Sequence, residues 1–248
     1  MNNRNKFGLI GKNISYSFSR KYFKEKFQKL GLNNCKYDNY DIPEIEEFPF
    51  VIYHQEDEFQ GFSVTIPYKQ SIIKYLDEVE GDAKEIGAVN TIKVTSDNKL
   101  IGYNTDVYGF QKSIEPLLKK HHNKALILGT GGASKAVAYA LEKLNIKYEF
   151  VSRNISDSSL LYSILNKEII EKHTVIINCT PLGTHPNIKN SPNIPYEFLT
   201  DKHLLFDLIY NPEKTKFLHE GEKRGTAIKN GLEMLEMQAE KSWEIWNS

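Results

Sequence analysis

Three polar residues in short apolar settings supply the parts of a proton-transfer site: Lys69 in VTIPYKQ, Asn90 in GAVNTI and Asp106 in GYNTD. A lysine can give up and regain a proton, which is the step acid/base chemistry needs. Residues 59 to 66 alternate as a strand does, and Pro67 closes that strand and opens a helix, which puts Lys69 in a first helical turn at a strand end. The positive end of a helix disfavours an ammonium and pushes its pKa down, which suits acid/base work. Taken by itself, a lysine there is ordinarily a solvated surface residue.

A second cluster is GTGGAS, Gly129 to Ser134, between the apolar run ALIL and a helical segment. Glycines in that setting let backbone amides approach a pyrophosphate at a helix N-terminus. The sixth position is Ser134 rather than Gly or Ala, and the alternative reading is a tight strand-to-helix turn. It is not a triphosphate-binding loop: Ser134 stands where the glycine before the lysine should be, and Ala136 replaces the metal-binding hydroxyl residue. About twenty residues on, the next strand ends in Val151-Ser152-Arg153-Asn154. An acid there would accept the ribose hydroxyls of NAD, whereas Arg153 suits the 2′-phosphate of NADP; the alternative is a surface arginine at a helix cap.

Elements must hold these residues in place. The first hundred residues alternate strand and helix: FGLIG, a helix over about 18–29, a strand near 36–42, a helix after Pro67, and two strands at 88–95 and 99–103. A helix near 106–118 leads to the hydrophilic stretch KKHHNK, a linker or loop, with a solvated helix end as the alternative. From Ala125 the pattern restarts as ALILG, a helix over about 134–144, KYEFVS, a helix over about 156–167, TVIINCT and LLFDLIY. That is a βαβ series and implies a parallel sheet covered on both faces. The last segment is helical, with Leu232, Leu235, Ala239 and Trp246 near one face.

Composition excludes several function classes. With 248 residues, the chain is long enough for one large or two modest domains, and two are expected. Lys plus Arg equals Asp plus Glu at 32 each, so no basic field draws nucleic acid, and a small-molecule partner is expected. No apolar run has the length to cross a bilayer and the N-terminus lacks a signal-peptide core, so a cytoplasmic protein is expected. Cys35 and Cys179 lack CxxC partners and the seven histidines show no ligand spacing, so neither a disulfide framework nor a metal is expected.

The series GKNISYSFS, GFSVTIPYK, GAVNT, YNTD, GTGGAS, NCTPLG, DLIYNP and GLEMLEMQA resembles the shikimate dehydrogenase family, in order and spacing, from residue 8 to about 246. The resemblance implies an α/β protein with a substrate domain over 1–105 completed by 231–248, a Rossmann-like NADP domain over 106–230, and an active site in the cleft between them. It implies reversible NADPH-dependent reduction of 3-dehydroshikimate to shikimate, by a monomer or homodimer. Lys69 and Asp106 match the catalytic pair, and Asp106 also meets substrate. Ser17 and Ser19 match the serines that bind the substrate carboxylate, and two serines two apart in extended chain point to one side. An isolated SxS is usually a helix cap. Thr65, Asn90 and Gln238 match the ring-hydroxyl ligands, and Tyr210 a substrate-side tyrosine. Taken alone, Gln238 reads equally as a solvated helix position. Gly129, Thr130, Gly131, Gly132 and Ala133 match the diphosphate loop, and Ser152, Arg153 and Asn154 the Asn-Arg-Thr segment. Leu208 and Gly231 fall at the nicotinamide end.

The chain departs from the family pattern where Asn13 and Arg20 replace prolines, Tyr16 a histidine, and Ser63 and Ser152 asparagines. The competing expectations are a quinate or related polyol-acid dehydrogenase using NAD or NADP, and a non-catalytic NADP-binding regulator.

Overall fold

The computed structural model describes residues 5–15, 17–53, 58–154 and 159–248, and the chain divides into two compact units, Met1–Thr105 with Gln238–Ser248 and Asp106–Met237. Tyr16 and the first residues of the helix expected over 156–167 lie outside the described residues.

In the first unit β1 (Lys6–Gly11) leads through α1 (Phe18–Lys29) to β2 (Lys36–Asp41), α2 (Phe48–Tyr53) and β3 (Phe59–Val64). There follow β4 (Glu78–Val79), α3 (Asp82–Ile86), β5 (Thr91–Val94) and β6 (Leu100–Tyr103). The sheet order is β2-β1-β3-β5-β6-β4. β1 is parallel to both its neighbours, and β5 is antiparallel to β3 and β6. Alternation along the strands sends Phe7, Leu9 and Tyr37 to one face, where they pack with Phe23 and Phe27 of α1 and with Trp246 near the C-terminus. Ile10, Phe62, Val64 and Ile92 pack in a second cluster with Phe48, Ile72 and Val89. The Trp246 indole N–H donates to the Ile92 carbonyl at 2.9 Å, so a buried polar edge is satisfied as the ring is buried.

The helix expected after Pro67 does not form. Residues 66–70 are a turn, followed by a 3-10 segment Ser71–Tyr75. The Lys69 carbonyl accepts the N–H of Val89 at 2.7 Å while the Ile73 N–H turns to the Gln70 carbonyl, so the single Tyr68–Ile72 bond is not extended into an α-helical ladder. The argument that a helix terminus tunes Lys69 therefore does not apply.

The second unit begins with α4 (Asp106–Ile114), then β7 (Lys124–Leu128), α5 (Gly132–Lys143), β8 (Lys147–Ser152) and β9 (Ser159–Leu161). It continues with α6 (Lys167–Lys172), β10 (Val175–Asn178), β11 (Leu204–Asp207), α7 (Lys216–Glu222) and β12 (Ala227–Lys229). α8 (Leu232–Trp246) starts in this unit and carries Gln238 onward into the first. The strand order is β12-β11-β10-β7-β8-β9 and every pairing is parallel. The strands at its centre are apolar runs with one polar residue at a strand end (Lys124, Asn178 and Asp207), as a sheet covered on both faces requires.

Two expectations fail here. In place of a helix through 159–164 the chain forms β9 and a 3-10 turn Tyr162–Ile164, because Leu160 and Leu161 extend the sheet against Val151 and Ser152. Leu232 is 38 % exposed, and the buried face of α8 instead runs through Met234, Gln238, Ala239, Ser242 and Trp246. KKHHNK is a loop inside the second unit, pinned by buried His122, whose Nδ1 accepts the Lys119 N–H and whose Nε2 lies 3.0 Å from the Lys202 carbonyl.

Candidate functional site

In the first unit, a buried polar cluster sits where β3, β5 and β6 meet α8. The Asn90 backbone joins the sheet edge: its carbonyl accepts from Val64 and its N–H donates to Tyr103. This fixes the side chain, whose Oδ1 accepts the Thr105 N–H at 2.7 Å and whose amide nitrogen donates to Thr105 Oγ1 at 3.0 Å. Thr105 Oγ1 also reaches Gln238 Oε1 at 3.4 Å, so the amides of Asn90 and Gln238 share one hydroxyl between them. Thr91 and Ser242 complete the cluster, their hydroxyls 2.7 Å apart. Asn90 and Gln238 are 3 % and 8 % exposed, so Gln238 is no solvated helix position.

Thr65 follows β3 directly, its N–H bonded to the Ile10 carbonyl and its carbonyl to the Tyr68 N–H. Lys69 is half-buried in the turn four residues on. Ser17 and Ser19 do not lie in one extended strand as expected. Ser17 is the N-cap of α1, its Oγ accepting the Arg20 N–H at 3.3 Å, and Ser19 is already helical. Near them the Tyr37 hydroxyl is buried. Burial holds its phenol above the ordinary range; the Ser63 and Ser19 hydroxyls oppose that, yet neither closes a hydrogen bond on the phenolic oxygen.

In the second unit, Asp106 opens α4 and is buried. The glycine loop leaves β7 at Gly129, whose φ of 100° lies where a side chain is strained, and Gly131 caps α5. Ser134 is buried and closes the loop, its Oγ donating to the Gly131 carbonyl at 2.6 Å. A pocket of about 310 Å³ lies at the C-terminal ends of β7, β8 and β10, where chain connections diverge to opposite sides of the sheet. Gly129, Thr130 and Gly131 line it from one side and Ser152, Arg153 and Asn154 from another, so two sequence motifs meet in one cavity. Gly132 and Ala133 stand just beyond it as the first residues of α5.

The cavity fits a dinucleotide diphosphate. A β-carbon built on Gly131 or Gly132 meets nothing within 4 Å, so space for a ligand adjoins the backbone amides. Among the described residues its lining includes Arg153 and no carboxylate. Sequence reasoning left Val151, Tyr162, Cys179, Thr180, Pro181 and Leu182 unassigned; four of them form the CTPL of NCTPLG, whose place after an apolar strand was the available signal.

Leu208 and Tyr210 lie on the turn after β11, outside that pocket. Asp207 shapes the turn: it is buried and accepts from Thr215 Oγ1 at 2.5 Å, Asn178 Nδ2 at 3.0 Å and the Ile209 N–H at 3.1 Å. Burial nonetheless pushes its carboxyl up to about 6, and burial also raises the Tyr210 phenol. Gly231 packs on the same turn, its N–H donating to the Ile209 carbonyl. Sequence reasoning gave Asp207 no part.

Among the described residues no group of three or more His, Cys, Asp or Glu side chains could hold a metal ion, and no helix is long and apolar enough to cross a membrane.

Residues 9–92 match the family model described as the shikimate dehydrogenase substrate-binding domain. A shikimate dehydrogenase (NADP+) of Methanococcus maripaludis is 38 % identical, over 96 % of this chain and 90 % of its own length. One from Clostridium botulinum is 36 % identical over 96 % and 95 %. The shikimate 5-dehydrogenase of Thermus thermophilus, solved with NADP(H) and shikimate, superposes with a TM-score of 0.85 at 28 % identity, over 97 % of this chain and 92 % of that one.

Proposed function

The chain belongs to the shikimate dehydrogenase family, and we propose on that premise that it catalyses the reversible NADPH-dependent reduction of 3-dehydroshikimate to shikimate, a step toward chorismate and the aromatic amino acids. The observation that carries this reading is the buried cluster in which Thr105 holds Asn90 and Gln238 together, since two fixed amides suit a ring bearing several hydroxyls. When bound, the nicotinamide supplies the hydride.

The chain's own residues do the rest. Lys69 protonates the oxygen as the carbonyl is reduced and removes that proton in the reverse direction, with the Asp106 carboxylate assisting. Ser17 and Ser19 hold the substrate carboxylate, Thr65, Asn90 and Gln238 the ring hydroxyls, and Tyr210 adds a contact on the substrate side. Gly129, Thr130, Gly131, Gly132 and Ala133 offer backbone amides to the diphosphate. Ser152, Arg153 and Asn154 receive the adenosine end, Arg153 taking the 2′-phosphate. Leu208 and Gly231 present backbone to the nicotinamide end. The guanidinium of Arg153 in the nucleotide pocket, with no carboxylate beside it among the described lining residues, favours NADP over NAD.

The test follows NADPH absorbance with 3-dehydroshikimate, for the native protein and Lys69→Ala, with quinate plus NAD or NADP as comparison. Turnover that collapses in the variant while nucleotide still binds supports the proposal. Turnover with quinate alone moves the substrate to that acid, and nucleotide binding without either reaction leaves a regulator.

A further inference from the structure

Four buried side-chain atoms among the described residues lack a hydrogen-bond partner, and the Tyr162 hydroxyl is the one whose residue lines the nucleotide pocket. Its ring packs against the apolar cluster that includes Val151 and Leu165, so the side chain is held in place without the hydroxyl's help. β9 delivers it there. Leu161 pairs with Ser152, and Tyr162 is the next residue after that pair, just as Arg153 is the next after Ser152. Burial pushes its phenol up to about 12, reinforced by the Cys179 thiol and opposed by Arg153. The hydroxyl therefore keeps its proton at neutral pH and can donate it in a hydrogen bond.

A buried donor with nothing to donate to costs folding free energy, and an ordered water or a ligand can supply the acceptor; here the residue lines a pocket large enough for a ligand. The pocket around it is divided in character. Arg153 is exposed and polar backbone lies along the glycine loop, whereas Val151, Pro181 and Leu182 give an apolar wall. An apolar wall with one directed donor suits a flat heteroaromatic base and its ribose better than a phosphate.

We infer that Tyr162 is a ligand of the adenosine half of the cofactor, its ring forming part of the wall and its hydroxyl donating to an adenosine acceptor. The inference rests on the NADP reading above and adds a residue in a stretch where the sequence pattern predicted helix.

Isothermal titration of native protein and Tyr162→Phe with NADP+ and with 2′,5′-ADP, which lacks the nicotinamide half, tests it. The variant is expected to bind both more weakly by about three- to ten-fold, as loss of one hydrogen bond to a neutral acceptor gives. Its ligand-free melting temperature should be unchanged or higher, since an unpartnered hydroxyl has gone; a purely structural tyrosine would show a lower melting temperature and unaltered affinity. Equal affinities in the two proteins overturn the inference, as does a loss confined to NADP+, which would put the hydroxyl at the nicotinamide half. If the native protein binds neither nucleotide, the NADP reading fails, and the inference with it.

Discussion

The hydroxyl oxygen of Thr91 on β5 lies 2.7 Å from that of Ser242 on α8, a bond between residues 151 positions apart in the chain. Ser242 also meets Thr105 at 3.1 Å and donates to the Gln238 carbonyl at 2.9 Å. The helix that carries Gln238 is thus fastened to the strand end that carries Asn90 by hydroxyls that no solvent reaches.

Ser242→Ala leaves two buried threonine hydroxyls short of a partner. It should destabilise the protein by about 1–3 kcal/mol in urea unfolding. It should also raise KM for 3-dehydroshikimate while leaving the affinity for NADP+ unchanged, because the cluster holds the substrate-side amides only. An unchanged KM would show that Gln238 and Asn90 keep their places without it.

Two glycines should respond in opposite ways. A β-carbon on Gly231 would stand 2.1 Å from the Leu208 carbonyl oxygen, and backbone cannot step aside as a flexible side chain can. Gly231→Ala is therefore expected to cost about 2–3 kcal/mol in thermal or urea unfolding. Gly131→Ala meets no neighbour within 4 Å and has an ordinary φ of −77°, so it should lose no more than about 1 kcal/mol, the cost of alanine at a helix N-cap. Its NADP+ affinity should fall about ten-fold or more, because the new methyl occupies the approach to the loop amides. Retained affinity in Gly131→Ala would remove the diphosphate from that loop.

Asp207 gives a pH signature. Burial raises its carboxyl from 3.8 to about 6, so the folded state favours the neutral form. That contribution is whole below the unfolded value and is lost as pH rises through about 6. The rise corresponds to about 3 kcal/mol. Asp207→Asn sets an amide nitrogen against hydrogen-bond donors and lowers stability at every pH, but its unfolding free energy should lack the decline across this window. Parallel profiles for variant and native protein between about pH 4 and pH 7 would contradict the assignment.

Tyr37→Phe removes a buried hydroxyl that closes no hydrogen bond. It should raise the unfolding free energy by about 1 kcal/mol. A fall of that size would show that the hydroxyl is satisfied in solution.

The parallel sheet of the second unit was legible because its central strands β7, β10 and β11 are apolar but for one polar residue at a strand end, and its glycine loop stands at one fixed place, after the first of them. Lys69 was located but its setting was misread. The Pro67 signal is local, whereas the bond that the Lys69 carbonyl accepts comes from Val89, twenty residues away in sequence and invisible to a window around the proline. Gln238 could not be told from a surface glutamine because the residue one turn on along the buried face, Ser242, is itself polar. Tyr162 was missed for a similar reason: SLLY fits a helical period as well as a strand, and only pairing with β8 decides.

The path of α8 also bears on the order in which the chain is made. Trp246 belongs to the same apolar cluster as Phe7, Phe23 and Tyr37, yet the whole of Asp106–Met237 is translated in between. At ribosomal speeds of about 5–20 residues per second that interval lasts roughly ten seconds, during which one face of the β1–β3 sheet has no C-terminal helix to cover it. In that time the second unit can close its own core, whereas the face of the first is covered by α1 alone until Ala239 and Trp246 arrive. Moving the codons for 238–248 ahead of β1 would let the first-translated unit finish first.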